Sequence, residues 1–270
     1  MKNFLVKKTR LLSLTLILFL FWIGEANAGQ LSDRIATFPK WDNKPTVQVA
    51  SGDLVYPEWM AGTWIVKSTL VDLVAPLAPE ITTPGFEGNR RYLNQPVQFQ
   101  VKFIKQNLLG QPLIGQPLKL IPQAVKVKSA VVADRAFNGL SLARAYLGDR
   151  TVKAVKVDPD SPNRQITLLQ GDRQLISVVT GRTTEATAEN GYVTTEVFGQ
   201  QFRGNRVRPY FNQVESTTAY HYVPNSAVKI VADQFTAVYL SAQDPDYFKA
   251  GDRPIALYRY RLEFSPQTDL

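Results

Sequence analysis

The 270-residue chain has no cysteine and one histidine, His221. Without thiols there can be no disulfide, cysteine nucleophile, thiolate zinc site or iron–sulfur cluster, and one imidazole cannot build a multi-histidine metal site. Long apolar runs are equally scarce. The longest, from Leu11 to Ile23, is interrupted by Ser13 and Thr15, and it falls short of the ~20 residues needed to span a bilayer. Nor is there a large excess of one charge. The net charge of +8 is too mild to argue for nucleic acid. With 44% hydrophobic and 20% charged residues, the composition is that of a globular domain rather than a disordered or multi-span chain.

What is present begins with a targeting pattern. Lys2, Lys7, Lys8 and Arg10 precede the apolar run, and Ala26-Asn27-Ala28 follows it in small-x-small form. This predicts a signal peptide over residues 1–28, cleaved after Ala28, and an exported product. No cysteine follows the cleavage site, so a lipoprotein is excluded. Glu25 and the four basic residues leave with the signal, and the remaining chain carries +5. That charge favours an anionic lipid surface or an acidic partner by long-range attraction.

Residues 29–57 hold Pro39, Pro45 and Pro57 with little periodicity, and read as an N-terminal arm draped over the surface. Beyond them, period-two alternation predicts a single β domain over 58–265. The first strand carries Trp64, Val66, Ser68 and Leu70 on one face. Val97, Phe99, Val101 and Phe103 mark a second, and Val125 and Val127 a third. Further strands are expected near 151–158, 164–170, 173–181, 192–203, 210–223, 227–232, 234–241 and 255–264. One segment has helical spacing: Val132, Ala136, Leu140, Ala143 and Leu147, with Asp134 as N-cap and Gly148 after the last turn. Gly139 lies inside it. Alternation on nearly every strand means one buried face per strand, hence a mainly β, antiparallel fold with one amphipathic helix inserted. That fold can close as a barrel or pack as a β-sandwich.

Loops supply the candidate functional residues. The connection 72–96 is proline-rich and long enough to be a lid or binding loop. Arg90, Arg91 and Tyr92 lie in it. Arg206, Arg208 and Tyr210 form a second arginine cluster beside an aromatic. Such clusters suit capture of an anionic headgroup or carboxylate at a pocket mouth. His221 falls on a strand face with Gln213, Glu215 and Thr217, which reads as solvent-facing. Asp158-Pro159-Asp160 and Asp244-Pro245-Asp246 read as proline turns rather than calcium ligands. Tyr220, Tyr222, Tyr239, Tyr258 and Tyr260 occupy in-pattern strand positions expected in a core. No catalytic constellation is visible, and no metal or cofactor is called for.

Trp59-Met60-Ala61-Gly62-Thr63-Trp64 places a Gly-x-Trp at the start of the first strand, and Arg259 and Arg261 lie on the last. This arrangement resembles the lipocalin-like (calycin) β-barrels. There the tryptophan closes one end and a terminal-strand arginine packs across it, which gives Gly62, Trp64, Arg259 and Arg261 a barrel-closing role. The segments Asp134–Gly139 and Gly251–Tyr260 resemble an uncharacterised family of exported proteins of cyanobacteria and the thylakoid lumen. These likenesses imply the periplasm or thylakoid lumen. They imply a barrel binding an apolar or amphiphilic small molecule (lipid, pigment or quinone), or a non-enzymatic interaction or assembly factor for a membrane complex.

Overall fold

The structure is a computed structural model and describes residues 29–107, 129–187, 190–204 and 207–267. The expected signal peptide, the strand expected at 125–128, and Arg206 lie outside the described residues. Twelve strands are present: β1 (Gln48–Val49), β2 (Val55–Tyr56), β3 (Gly62–Val74), β4 (Pro96–Asn107), β5 (Ser129–Ala133), β6 (Val152–Asp158), β7 (Ser161–Leu169), β8 (Gln174–Thr187), β9 (Gly191–Gly204), β10 (Val207–Tyr222), β11 (Ile230–Leu240) and β12 (Ala256–Pro266). They form one antiparallel sheet ordered β2-β5-β4-β3-β12-β11-β10-β9-β8-β7-β6, with β1 added to β8. The sheet is continuous and curls into a half-barrel. Among the described residues there is one sheet rather than two facing ones, so the barrel-like alternative prevails over the sandwich.

Most strands fall where alternation placed them. The runs 227–232 and 234–241 are one strand, β11, because no turn separates them. Val132 belongs to β5, not to the helix; its apolar spacing fits either element, and pairing with Val55 and Ile104 decides it. Helices α1 (Gln30–Ala36), α2 (Phe86–Asn89), α3 (Arg135–Leu147) and α4 (Tyr247–Ala250) complete the fold. Asp134 caps α3 by accepting from the Phe137 N–H at 3.1 Å, and Gly148 follows it at φ 84°.

The curl leaves a gap between the β4–β5 side and the β6–β8 side, and two elements bridge it. One is α3, which contacts β4, β6 and β7. Its side chains satisfy the β4 edge left free by β5. Asn138 accepts from the Lys102 N–H at 2.6 Å and donates to the Lys102 carbonyl at 3.1 Å, and Ser141 accepts from the Gln100 N–H at 2.9 Å. An edge strand is thus covered by helix-borne polar groups rather than by another strand. On the other side Gly139 lets α3 approach β7 closely: a Cβ there would lie 2.8 Å from the Gln165 amide. The second bridge is the strap 48–56, whose β1 pairs with β8 and whose β2 pairs with β5.

The N-terminal arm is not merely draped. Leu31, Trp41 and Leu54 are buried. Trp41 packs with Phe235, Ala237, Tyr239 and Leu257 on the convex face of the sheet. The face read as solvent-facing is therefore wet only at its end. His221 is exposed, but Glu215 and Thr217 are fully buried under the arm. Arg34 reaches down to Glu215 with two 2.7 Å contacts, while Tyr239 and Thr217 donate to the same carboxylate at 2.7 and 2.8 Å.

Candidate functional site

The concave face carries two packed clusters, one toward each end. Met60, Trp64, Val66, Phe103, Val131, Ile230, Leu262 and Phe264 fill one. Leu70, Leu73, Val214, Val238, Leu240 and Tyr258 fill the other, joined by Ile81 and Phe86 from the long 75–95 connection. That connection, expected as a lid, does cover an end of the interior. Asn89 donates to the Tyr258 hydroxyl at 3.1 Å, and the Tyr92 ring lies 5.9 Å from that of Tyr146 on α3.

Against the first cluster the interior is open as a cavity of about 470 Å³ lined in part by Val66, Phe103, Leu262 and Phe264, within the range of small-molecule pockets. Its lining comes from β3, β4, β9, β10, β11 and β12 together with α3. Strands from opposite parts of the sheet meet one cavity only on the inside of the curl. From α3 come Asn138, Leu142 and Tyr146, spaced at four residues and therefore on one helix face.

The two bridges are tied together at the cavity rim by four charges. Arg135, the first residue of α3, contacts Asp53 of the strap at 3.1 Å and Glu196 of β9 at 3.0 Å. Arg182 of β8 contacts the same Glu196 oxygen at 3.1 Å, the Gly52 carbonyl at 2.9 Å, and Asn163. The pKa of Arg135 is raised: burial pulls it down, but Glu196, Tyr56 and Asp53 outweigh it. Burial also raises the hydroxyls of Tyr56 and Tyr220, and raises Tyr192 to about 12. These phenols are therefore protonated donors at neutral pH.

The expected site residues are distributed as follows. Arg90 is exposed and paired with Glu87 at 2.7 Å. Arg91 lies over the Tyr92 ring at 4.8 Å. Arg208 is exposed. Tyr210 faces inward, its hydroxyl buried without a hydrogen-bond partner among the described residues. Strand register sends the 75–95 connection, the 241–255 connection and the β9–β10 hairpin to the same end of the sheet. Arg90, Arg91, Arg208 and Tyr210 thus lie toward one end of the sheet.

Of the barrel-closing set, Trp64 is buried at the opposite end, with its indole N–H on the Met60 carbonyl at 2.8 Å. No arginine packs across it. Alternation on β12 turns Arg259 and Arg261 to the convex face, where Arg259 pairs with Asp233 at 2.8 Å and lies over Phe235. Gly62 is explained by its φ of 122° rather than by close approach, since a Cβ there would meet nothing. Both Asp-Pro-Asp segments are turns: Asp158 and Asp244 each accept from the N–H two residues on, at 3.0 and 2.9 Å. No metal-binding cluster occurs among the described residues.

The residues that sequence reasoning passed over are Thr194, Glu196, Ser216, Thr218, Gln234 and Thr236. All line the cavity. Their signal was visible as polar residues at inward strand positions, but without closure of the sheet they read as one more wet face.

Fold and cavity define an antiparallel β half-barrel closed by a helix and a strap around an internal pocket. A family model described as a domain of unknown function (DUF6816) matches residues 48–268, and the chain belongs to that family. No curated protein and no solved structure gives a significant match. Among the described residues no helix is long and apolar enough to cross a membrane.

Proposed function

We propose that this protein is an exported, non-enzymatic carrier that encloses one apolar or amphiphilic small molecule, such as a lipid, pigment or quinone, inside the half-barrel. The observation carrying this reading is the cavity of about 470 Å³ on the inside of the curled sheet. The covering elements α3 and the 75–95 connection support it, since small-molecule sites are commonly concave and largely pre-formed. The signal-peptide pattern and the likeness to exported cyanobacterial and thylakoid-lumen proteins support the periplasm or thylakoid lumen. The test is purification from the native compartment, organic extraction, and mass spectrometry with absorbance. A stoichiometric small molecule is expected, and protein repeatedly empty at stoichiometric sensitivity would overturn the reading.

A second reading, an interaction or assembly factor for a membrane complex, is favoured by a different observation. Phe248 on α4 is 91% exposed, at the sheet end that also carries Arg90, Arg91 and Arg208. Salt-sensitive co-purification of a membrane-complex protein, lost in Phe248→Ala, is its expected signature.

A further inference from the structure

We propose that the cavity selects a neutral, facially amphiphilic ligand, one with hydrogen-bonding groups along one side and an apolar surface on the other. The inference rests on the carrier reading and adds the chemistry of what is carried. Register divides the lining in two. On β9, β10 and β11, Thr194, Thr218 and Gln234 stand side by side in one row, and Glu196, Ser216 and Thr236 in the next. On β4, β3 and β12, Phe99, Val66 and Phe264 form an apolar row, and in the next row Leu262 pairs with Ser68, whose hydroxyl is already engaged with the Tyr146 hydroxyl at 3.2 Å. Polarity is therefore spread along one wall rather than gathered at one end, as a fatty acid or phospholipid would require.

The charges argue the same way. Among the described residues Glu196 is the only charged one in the lining, and Arg135 and Arg182 already hold it. No described lysine or arginine lines the cavity. A carboxylate or phosphate entering it would be desolvated without a counter-charge, which is strongly unfavourable. Hydrogen-bonding capacity remains for a neutral ligand. The Ser216 hydroxyl accepts from the Gln234 amide at 2.9 Å, leaving the Gln234 carbonyl oxygen as an acceptor. The hydroxyls of Thr194 and Thr236 make no hydrogen bond among the described residues.

The test is isothermal titration of the processed protein at pH 6 with three neutral probes (cortisol, naringenin and menadione) and with dodecanoate as an anionic head-to-tail amphiphile. At least one neutral probe is expected to bind about tenfold or more tightly than dodecanoate. Thr194→Val and Thr236→Val, each isosteric, are expected to weaken that probe by about fivefold, the value of one lost hydrogen bond, with thermal midpoints unchanged. Dodecanoate binding as tightly as, or more tightly than, every neutral probe overturns this inference and leaves the carrier reading standing. No binding by any of the four overturns both.

Discussion

Single residues decide whether the closure of this barrel holds. Arg135 touches the strap through Asp53 and the sheet through Glu196, and all three side chains are mostly buried. Arg135→Ala leaves Asp53 without this partner and Glu196 with Arg182 alone. A loss of about 2–3 kcal/mol is expected, read as a lower urea midpoint. Adding Asp53→Asn to Arg135→Ala is expected to recover part of it, because the carboxylate left without its guanidinium is then removed. The tyrosines give a pH prediction of definite sign. Burial holds the phenol of Tyr192 at about 12 in the folded chain, and those of Tyr56, Tyr220, Tyr239 and Tyr260 are raised as well. Unfolded tyrosine loses its proton near pH 10. The stabilisation is therefore complete below pH 10 and declines above it, since the native state then holds more protons than the unfolded one. Each raised tyrosine contributes a slope of about 1.4 kcal/mol per pH unit up to its folded pKa. Denaturation midpoints falling steeply above pH 10, with tyrosinate absorbance appearing only on unfolding, are the expected result.

At the scale of elements, α3 acts as a surrogate strand. Asn138→Ala removes both contacts to Lys102 and frees its N–H on β4, while the Lys102 carbonyl keeps the Asp134 N–H at 2.9 Å. About 1–2 kcal/mol of destabilisation is expected, together with faster amide hydrogen exchange confined to residues 96–102. Unchanged exchange there would mean that solvent already satisfies that edge. The helix itself was legible: Asp134, Gly148 and the 4-3-4 spacing of Ala136, Leu140, Ala143 and Leu147 located it to within a residue, although the spacing also drew in Val132 of β5. Its task was not, because Gly139 signals only a local cost of ~1 kcal/mol in sequence, and the Gln165 amide that explains it lies on a strand 26 positions away. The strands were legible for the same reason as the helix, since alternation is local. Their inward and outward faces were assigned wrongly wherever another element covered the supposed wet side. Glu215 and Thr217 are buried because Arg34 and Trp41 lie over them, and Thr194 and Thr218 look into a cavity because the sheet curls. The turn-borne arginines were found by composition, yet Arg259 and Arg261 could not be placed against Trp64, since only the phase of β12 relative to β3 shows that they point to opposite faces.

For the whole molecule, the N-terminal arm separates stability from binding. The cavity uses the concave face, while the arm covers the convex face through Trp41, Phe38 and Ile35 against Phe235, Ala237, Tyr239 and Leu257. It also provides the only cation on Glu215, which is fully buried. Removing residues 29–43 would expose that apolar cluster and leave a buried carboxylate without its guanidinium, at several kcal/mol. Because domains of this kind are stable by about 5–15 kcal/mol, the shortened chain is expected to lose its cooperative thermal transition. A melt within a few degrees of the intact protein would show that the arm is dispensable. Under the proposed export, the same geometry limits where processing can cut. Leu31 is buried and its N–H rests on Glu185 at 2.9 Å, with the Ser32 hydroxyl on the other oxygen at 2.6 Å. Cleavage after Ala28 keeps both contacts, whereas cleavage past Ile35 removes them together with Arg34. The intact mass of the exported protein is therefore expected to begin at Gly29. A native N-terminus beyond Ile35 on a stably folded protein would remove both the signal-peptide assignment and the stabilising role of the arm.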